Sequence, residues 1–259
     1  MEAECVTPNA FAEKSMGEIG SLQIWEGNRK RALGELFQIE GEESSPPEKV
    51  SIHLIGDLGK VRRIGAGMSA GEIAVTGDVG MHLGEGMKGG TIRVTGNAGS
   101  WVGSMMKGGL IEIEGNAGDY VGAAYRGSTK GMRGGIIIIH GDVGNEAGCF
   151  MRNGLIKILG NAGQFAGVHM REGTIYIQGD AEARAGAQML GGKIVIGDYI
   201  PSILPTFTID SIRPNVKLNG EKVEGPFYRF IGDLADQGEG KLFVSKTKNP
   251  HLNFYEKYL

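Results

Sequence analysis

Residues able to do chemistry are few in this chain, and their spacing suits no common site. The five histidines, at 53, 82, 140, 169 and 251, form no His-x-x-x-His pair. Neither Cys-x-x-Cys nor Asp-x-Asp-x-Asp-Gly occurs, so no metal site is expected within the chain. Gly84-Glu-Gly-Met-Lys-Gly89 matches the Gly-x-Gly-x-x-Gly pattern that holds a dinucleotide pyrophosphate. That pattern works only where it opens a helix, and here it lies in a glycine-saturated stretch with no helical periodicity. Gly127-Ser-Thr-Lys-Gly131 lacks the Gly-Lys-Ser/Thr order of a phosphate loop. Two thiols, Cys5 and Cys149, make no disulfide framework and point to a reducing cytoplasm.

The elements that would have to position such residues are written in glycine. The chain has 259 residues, 41% of them hydrophobic, enough for a core, and a formal charge of -3 that gives no reason to expect nucleic acid or an anionic membrane. Its longest strongly apolar run is Ile136 to Ile139, and no secretory apolar region follows Met1. Glycine numbers 46, and 36 of these fall between residues 56 and 197. No period of three exists, which excludes collagen.

Those glycines are periodic. Gly followed by Asp or Asn occurs at 56, 77, 96, 115, 141, 160, 179 and 197. Glycines 65, 84, 103, 122, 148, 167 and 186 step by 19 residues with one step of 26. Methionines 68, 87, 106, 132, 151, 170 and 189 step identically. The chain therefore holds seven 19-residue units with one seven-residue insertion. Each unit carries one short alternating segment, such as Glu72-Ile-Ala-Val-Thr76 or Thr174-Ile-Tyr-Ile-Gln178, that reads as a strand with one buried face. What is left of a unit is too short for a crossover helix, and it supplies small residues (Ala98, Ala117, Ala162, Ala181) before the methionine. The fold predicted is all-β, a right-handed parallel β-helix of about seven coils, with glycines at corners needing positive φ. A leucine-rich horseshoe has a similar period but needs a consensus and a helical half-repeat absent here. A β-propeller needs longer units.

The flanks read as caps. Residues 1–49 form an N-terminal cap, with a helix expected around Ala10 to Ile19, strands near Leu22 to Trp25 and Leu36 to Ile39, and a boundary at Ser45-Pro46-Pro47. The β-helix spans 50–199, with its insertion at 123–131. Residues 200–259 form a β-rich C-terminal cap, with a hairpin turning at Asn219-Gly220 and strands near Tyr228 to Ile231 and Leu242 to Ser245.

A solenoid turns repeat positions into ladders. The position after each repeat methionine gives Lys88, Lys107, Arg133, Arg152 and Arg171, a basic stripe suited to an acidic protein surface, or simply a solvated corner. His82, Trp101, Tyr120, Glu146, Phe165 and Arg184 make a second ladder. Leu83, Val102 and Val121 take the inward places beside it, so Trp101, Tyr120 and Phe165 should point outward, exposed unless a terminal flank covers them. Leu110, Ile136, Ile138, Leu155 and Leu159 stand at outward strand positions and also ask for a cover. In the insertion, Tyr125, Arg126 and Lys130 are the expected partner contacts. Cys149 fills a slot held elsewhere by Ser104, Val168 and Ala187, which favours an inert packing role.

The run Gly115-Asn-Ala-Gly-Asp-Tyr-Val-Gly122, repeated at 96–103 and 160–167, resembles the β-helical domain that ends the large subunit of glutamate synthase. The whole chain, from Trp25-Glu-Gly-Asn28 through Tyr125-Arg126-Gly127 to Asn249-Pro-His-Leu252, more closely resembles the C subunit of formylmethanofuran dehydrogenase. That resemblance implies a non-catalytic scaffold in a complex of methanogenic archaea that reduces carbon dioxide to formate and formylates methanofuran. It implies a molybdenum or tungsten pterin, iron–sulfur clusters and amidohydrolase metals in other subunits, and none on this chain. The methylotrophic formyltransferase/hydrolase complex has a similar component. Two alternatives stay open on the residues: a stand-alone carbohydrate-active β-helix enzyme, and a homo-oligomer pairing through its aromatic face.

Overall fold

Every repeat unit contributes one strand, because its β-branched residues alternate between a buried and an outward face. The structure, a computed structural model, describes residues 1–43 and 46–259; the Ser45 part of the expected boundary lies outside the described residues. The N-terminal cap holds α1 (Pro8–Phe11), α2 (Met16–Gly20), β1 (Gln23–Glu26) and β2 (Arg29–Ala32). Eight solenoid rungs follow: β3 (Ser51–Ile55), β4 (Glu72–Thr76), β5 (Thr91–Val94), β6 (Leu110–Ile113), β7 (Arg133–Ile139), β8 (Asn153–Ile158), β9 (Thr174–Ile177) and β10 (Lys193–Ile196). The C-terminal cap adds β11 (Thr208–Leu218), β12 (Glu221–Gly232), β13 (Gly240–Ser245) and a 3-10 helix, Pro250–Tyr258.

All eight rungs pair in parallel and in register, so Ile52, Ile73, Ile92, Ile111, Ile137, Ile156, Ile175 and Ile194 form one inward column, extended by Leu242 of β13. The repeat methionines are buried along a second line, and Leu58, Val79, Ala98, Ala117, Val143, Ala162 and Ala181 bridge coil to coil along a third. Close stacking leaves no room at the corners. At Gly103, with φ +60°, an added Cβ would sit 2.4 Å from Ile137 Cδ1.

The recurring Asp or Asn after glycine has its own cause. Asp78 Oδ1 accepts from the Asn97 backbone N–H at 2.7 Å, Asn97 from Asn116 at 2.9 Å, and Asn116 from Asp142 at 2.8 Å. Asp142, Asn161 and Asp180 continue this ladder to Tyr199. Each side chain thus satisfies a corner N–H of the next coil that no strand partner reaches.

Two cap expectations are corrected. The helix expected over Ala10 to Ile19 is two short ones, broken where Glu13 adopts a φ of 61°. The strand expected at Leu36 to Ile39 is irregular, because Gly27, at φ 61°, turns the chain at once and β2 pairs with β1 instead. The C-terminal hairpin turns at Asn219 and Gly220, both with positive φ, as a two-residue turn requires. It folds back over the outer face of the last coils, where Val216, Leu218 and Phe227 bury Tyr176, Val195 and Phe243. Leu110, Ile136, Ile138, Leu155 and Leu159 lie half-buried beyond that cover.

Candidate docking surfaces

The aromatic ladder sits at a corner of the coil. His82, Trp101, Tyr120, Glu146, Phe165 and Arg184 all have φ between 58° and 70°, and the backbone N–H of Trp101 reaches Asp119 O of the next coil at 2.8 Å. The repeat therefore fixes their spacing, and flat rings stack. His82 and Trp101 lie 5.7 Å apart and 8° from parallel; Trp101 and Tyr120 lie 4.3 Å apart at 17°. Arg184 stands 5.1 Å over the Phe165 ring.

The expectation that these rings are exposed is overturned: Trp101 is 7% exposed, and Tyr120 and Phe165 are half-buried. The cover is the insertion, not a terminal flank. Its first residues, Ala123 and Ala124, are buried; Ala123 packs with Trp101, Cys149 and Val168. The Tyr125 ring then comes within 5.6 Å of Trp101 and 5.9 Å of His82. Tyr125 itself is 49% exposed, with Arg126 and Lys130 exposed beside it.

The basic stripe splits into two roles. Arg152 donates Nε and an Nη to Thr129 O at 3.2 and 3.1 Å, clamping the insertion against the coil. Lys88, Lys107, Arg133 and Arg171 are exposed and make no ion pair among the described residues. Their backbone N–H groups bond the repeat methionine of the preceding coil at 2.7 to 2.9 Å, so the cations share one edge at coil spacing. Through Arg152 and Thr129 the structure joins this edge to Tyr125, Arg126 and Lys130.

Two polar clusters were not foreseen from linear spacing. Arg63 Nε lies 2.9 Å from Glu4 and 3.4 Å from Glu85, and His82 Nδ1 lies 3.3 Å from Glu85. The close contact with His82 holds the Glu85 carboxyl below its ordinary value against the opposing effect of burial, and the Arg63 charge assists. On the outer sheet face, Glu112 pairs with Arg93 at 3.5 Å and with His140 Nε2 at 3.1 Å, while Glu114 lies 3.8 Å from His140 Nδ1. Ligand atoms of Glu112, Glu114 and His140 fall within 4.8 Å of one another, a geometry open to a divalent cation. Strand alternation plus the 26-residue step across the insertion was the signal that could have found them.

Thiol chemistry is poor. Burial, the Glu146 charge and a hydrogen bond to Glu146 push Cys149 up to about 12, and burial also raises Cys5. An iron–sulfur cluster takes several convergent thiolates, and these two do not fit one. Among the described residues no helix is long and apolar enough to cross a membrane.

Comparison with known proteins gives a consistent answer. No protein-family model matches the chain. It is 52% identical over 253 residues to the C subunit of tungsten-containing formylmethanofuran dehydrogenase 2 from Methanothermobacter thermautotrophicus, covering 97% of this chain and 94% of that one. Against the Methanococcus maripaludis protein of the same name it is 49% identical over 259 residues, with the same coverage. The match to the C subunit of molybdenum-containing formylmethanofuran dehydrogenase 1 from Methanosarcina barkeri is 41% identical over 83 residues, 32% of this chain and 28% of that one. Among solved structures, a chain of the formyltransferase/hydrolase complex of Methylorubrum extorquens, determined with methylofuran, superposes with a TM-score of 0.80 and 34% identity over 94% of both chains.

Proposed function

The chain belongs to the C-subunit family of formylmethanofuran dehydrogenases, and on that premise we propose that it is the non-catalytic scaffold of such a complex. In this reading the complex reduces carbon dioxide and formylates methanofuran in the cytoplasm. The molybdenum or tungsten pterin, the iron–sulfur clusters and the amidohydrolase metals belong to the subunits docked on the rod.

The observation that carries the reading is the clamped insertion beside the unpaired cations. Tyr125, Arg126 and Lys130 stand out from a loop held by Arg152, next to Lys88, Lys107, Arg133 and Arg171. Like charges stacked one coil apart repel one another, and an acidic partner surface relieves that repulsion. Trp101, Tyr120 and Phe165 support this surface from beneath. Among the described residues of the coil, side-chain contacts bring together no nucleophile, base and orienting group of a hydrolytic site.

The test is purification from a native source, where the chain should co-elute with pterin and amidohydrolase subunits; a lone homomeric peak overturns the proposal. A K107E/R133E double variant should keep its melting temperature within about 2 °C, because both side chains are exposed. It should lose at least tenfold in affinity for its partners, more steeply at low salt.

A further inference from the structure

Among the described residues, the coil rung left without a strand partner on one side is β3, at the N-terminal end. β3 ends the eleven-stranded sheet and pairs only with β4. In a parallel ladder a residue sends its N–H and C=O to the same side. Val50 O accepts from Glu72 N–H at 3.0 Å, so with Ile52 opposite Ile73 the even-numbered residues face β4. The N–H and C=O groups of Ser51, His53 and Ile55 therefore point away from the sheet. No strand among the described residues takes them, and Ile55 is 82% exposed.

Beside this edge a groove of about 820 Å³ opens between β3 and the N-terminal cap. Phe11, Ile19, Leu36 and Phe37 line its cap side, Ile52 and Leu54 its coil side. In each later coil the place beneath the isoleucine column is filled by the preceding rung; here no strand among the described residues fills it. The rim is acidic, with Glu40, Glu42 and Asp57 against Lys14.

We propose that the β3 edge is a strand-addition site for an extended segment of another polypeptide. The segment would pair with Ser51, His53 and Ile55, set alternate apolar side chains into the groove and carry basic residues at its flanks. The backbone row demands an extended occupant, the groove demands alternation, and the rim demands positive charge. A second copy of this chain does not satisfy the last demand, since twofold pairing would set one acidic rim against another. The proposal deepens the scaffold reading by naming how one partner is held, and it rests on that reading only for the source of the segment.

The probe is a nine-residue peptide alternating valine with serine or threonine between paired lysines, tested on the full chain by amide hydrogen exchange. Exchange at residues 51–55 should slow at least tenfold at saturation. Glutamate flanks should weaken binding tenfold or more, and a central proline should abolish it. A His53→Pro chain loses only an outward N–H and keeps its bonds to β4. It should melt like the wild type and fail to bind, whereas His53→Ala binds normally. Absence of protection by any of the peptides, equal binding by His53→Pro, or protection that grows with the concentration of the chain alone would overturn the proposal. So would an assembled complex in which residues 51–55 exchange as fast as in the free chain, and the scaffold reading would survive that result. A chain that binds the peptide as described yet never co-purifies with partners supports the edge and sinks the scaffold instead.

Discussion

The two ends of the rod are closed by different means. At the C-terminal end the edge of β10 is taken by β13, which pairs in turn with β12 and through it β11, so the backbone ladder runs on into the cap. Asn249 ties the closing segment down, accepting from Ile200 N–H at 2.9 Å and donating to Asp198 O and Ser245 O. At the N-terminal end residues 1–6 bond a corner of the first coil, through Ala3 N–H to Arg62 O and Gly65 N–H to Val6 O, and leave the outer edge of β3 without a strand partner among the described residues. One end is sealed by a continued strand ladder, the other by backbone bonds to a corner of the coil together with side chains. A repeat fold needs both ends screened from solvent, and the strand ladder at the C-terminal end moves the pairing edge off the coil and onto β11 of the cap hairpin. At the N-terminal end the open edge belongs to a coil rung and lies beside an apolar groove.

The largest expected effect tests this contrast in stability. Phe230 is fully buried in β12, and Phe230→Ala should cost about 3–5 kcal/mol, lowering Tm by roughly 10 °C. Phe37 is half-buried in the N-terminal cap, and Phe37→Ala should cost only about 1–2 kcal/mol. Calorimetry reads both. Equal losses would mean the ends are sealed alike.

Asp233 comes next. It is buried at the C-terminal seam, and its carboxylate accepts from Gln188 N–H at 3.0 Å and Ala235 N–H at 3.1 Å. Burial works to raise its pKa, but bonds from Thr206 and these two amides outweigh that and hold it below the ordinary value. Asp233→Ala strands two amides and should cost about 2–3 kcal/mol at neutral pH. Because the folded carboxyl is the stronger acid, its contribution is present above the unfolded value near pH 4 and fades as pH falls through the folded one. The gap between variant and wild type should narrow below about pH 4; a gap that widens there contradicts the assignment.

What the sequence disclosed, and what it hid, follows the same division. The isoleucine and methionine columns were legible because a stacked coil imposes the same burial at every nineteenth residue. The inward series Leu83, Val102 and Val121 was legible for the same reason. The burial of Trp101 was not, since it depends on where a single non-repeating insertion folds. Glu112 and His140 escaped notice because the 26-residue step hides a contact that is one coil in space. The cap strand placed at 36–39 failed because caps occur once, so no neighbouring unit corrects a wrong reading. Periodicity can be checked against itself, and a cap cannot.

The smallest expected effect leaves stability untouched and sharpens the comparison kinetically. Cys5 is half-buried in the N-terminal cap, and Cys149 is buried beneath the insertion in the body of the rod. With Cys149 pushed up to about 12, its thiolate fraction at pH 8 is on the order of 10⁻⁴, so a thiol reagent reaches it effectively only after opening. If the N-terminal cap is the weaker seal, it opens locally at a lower free energy than the ladder it covers. Cys5 labelling should then accelerate at denaturant concentrations well below the global midpoint, while Cys149 labelling should wait for the cooperative transition. The two rates, followed by mass spectrometry on one sample, give the opening free energy at each place. Identical denaturant dependence for both thiols would show that cap and coil open together, and the distinction between the ends would be one of geometry without a counterpart in energy.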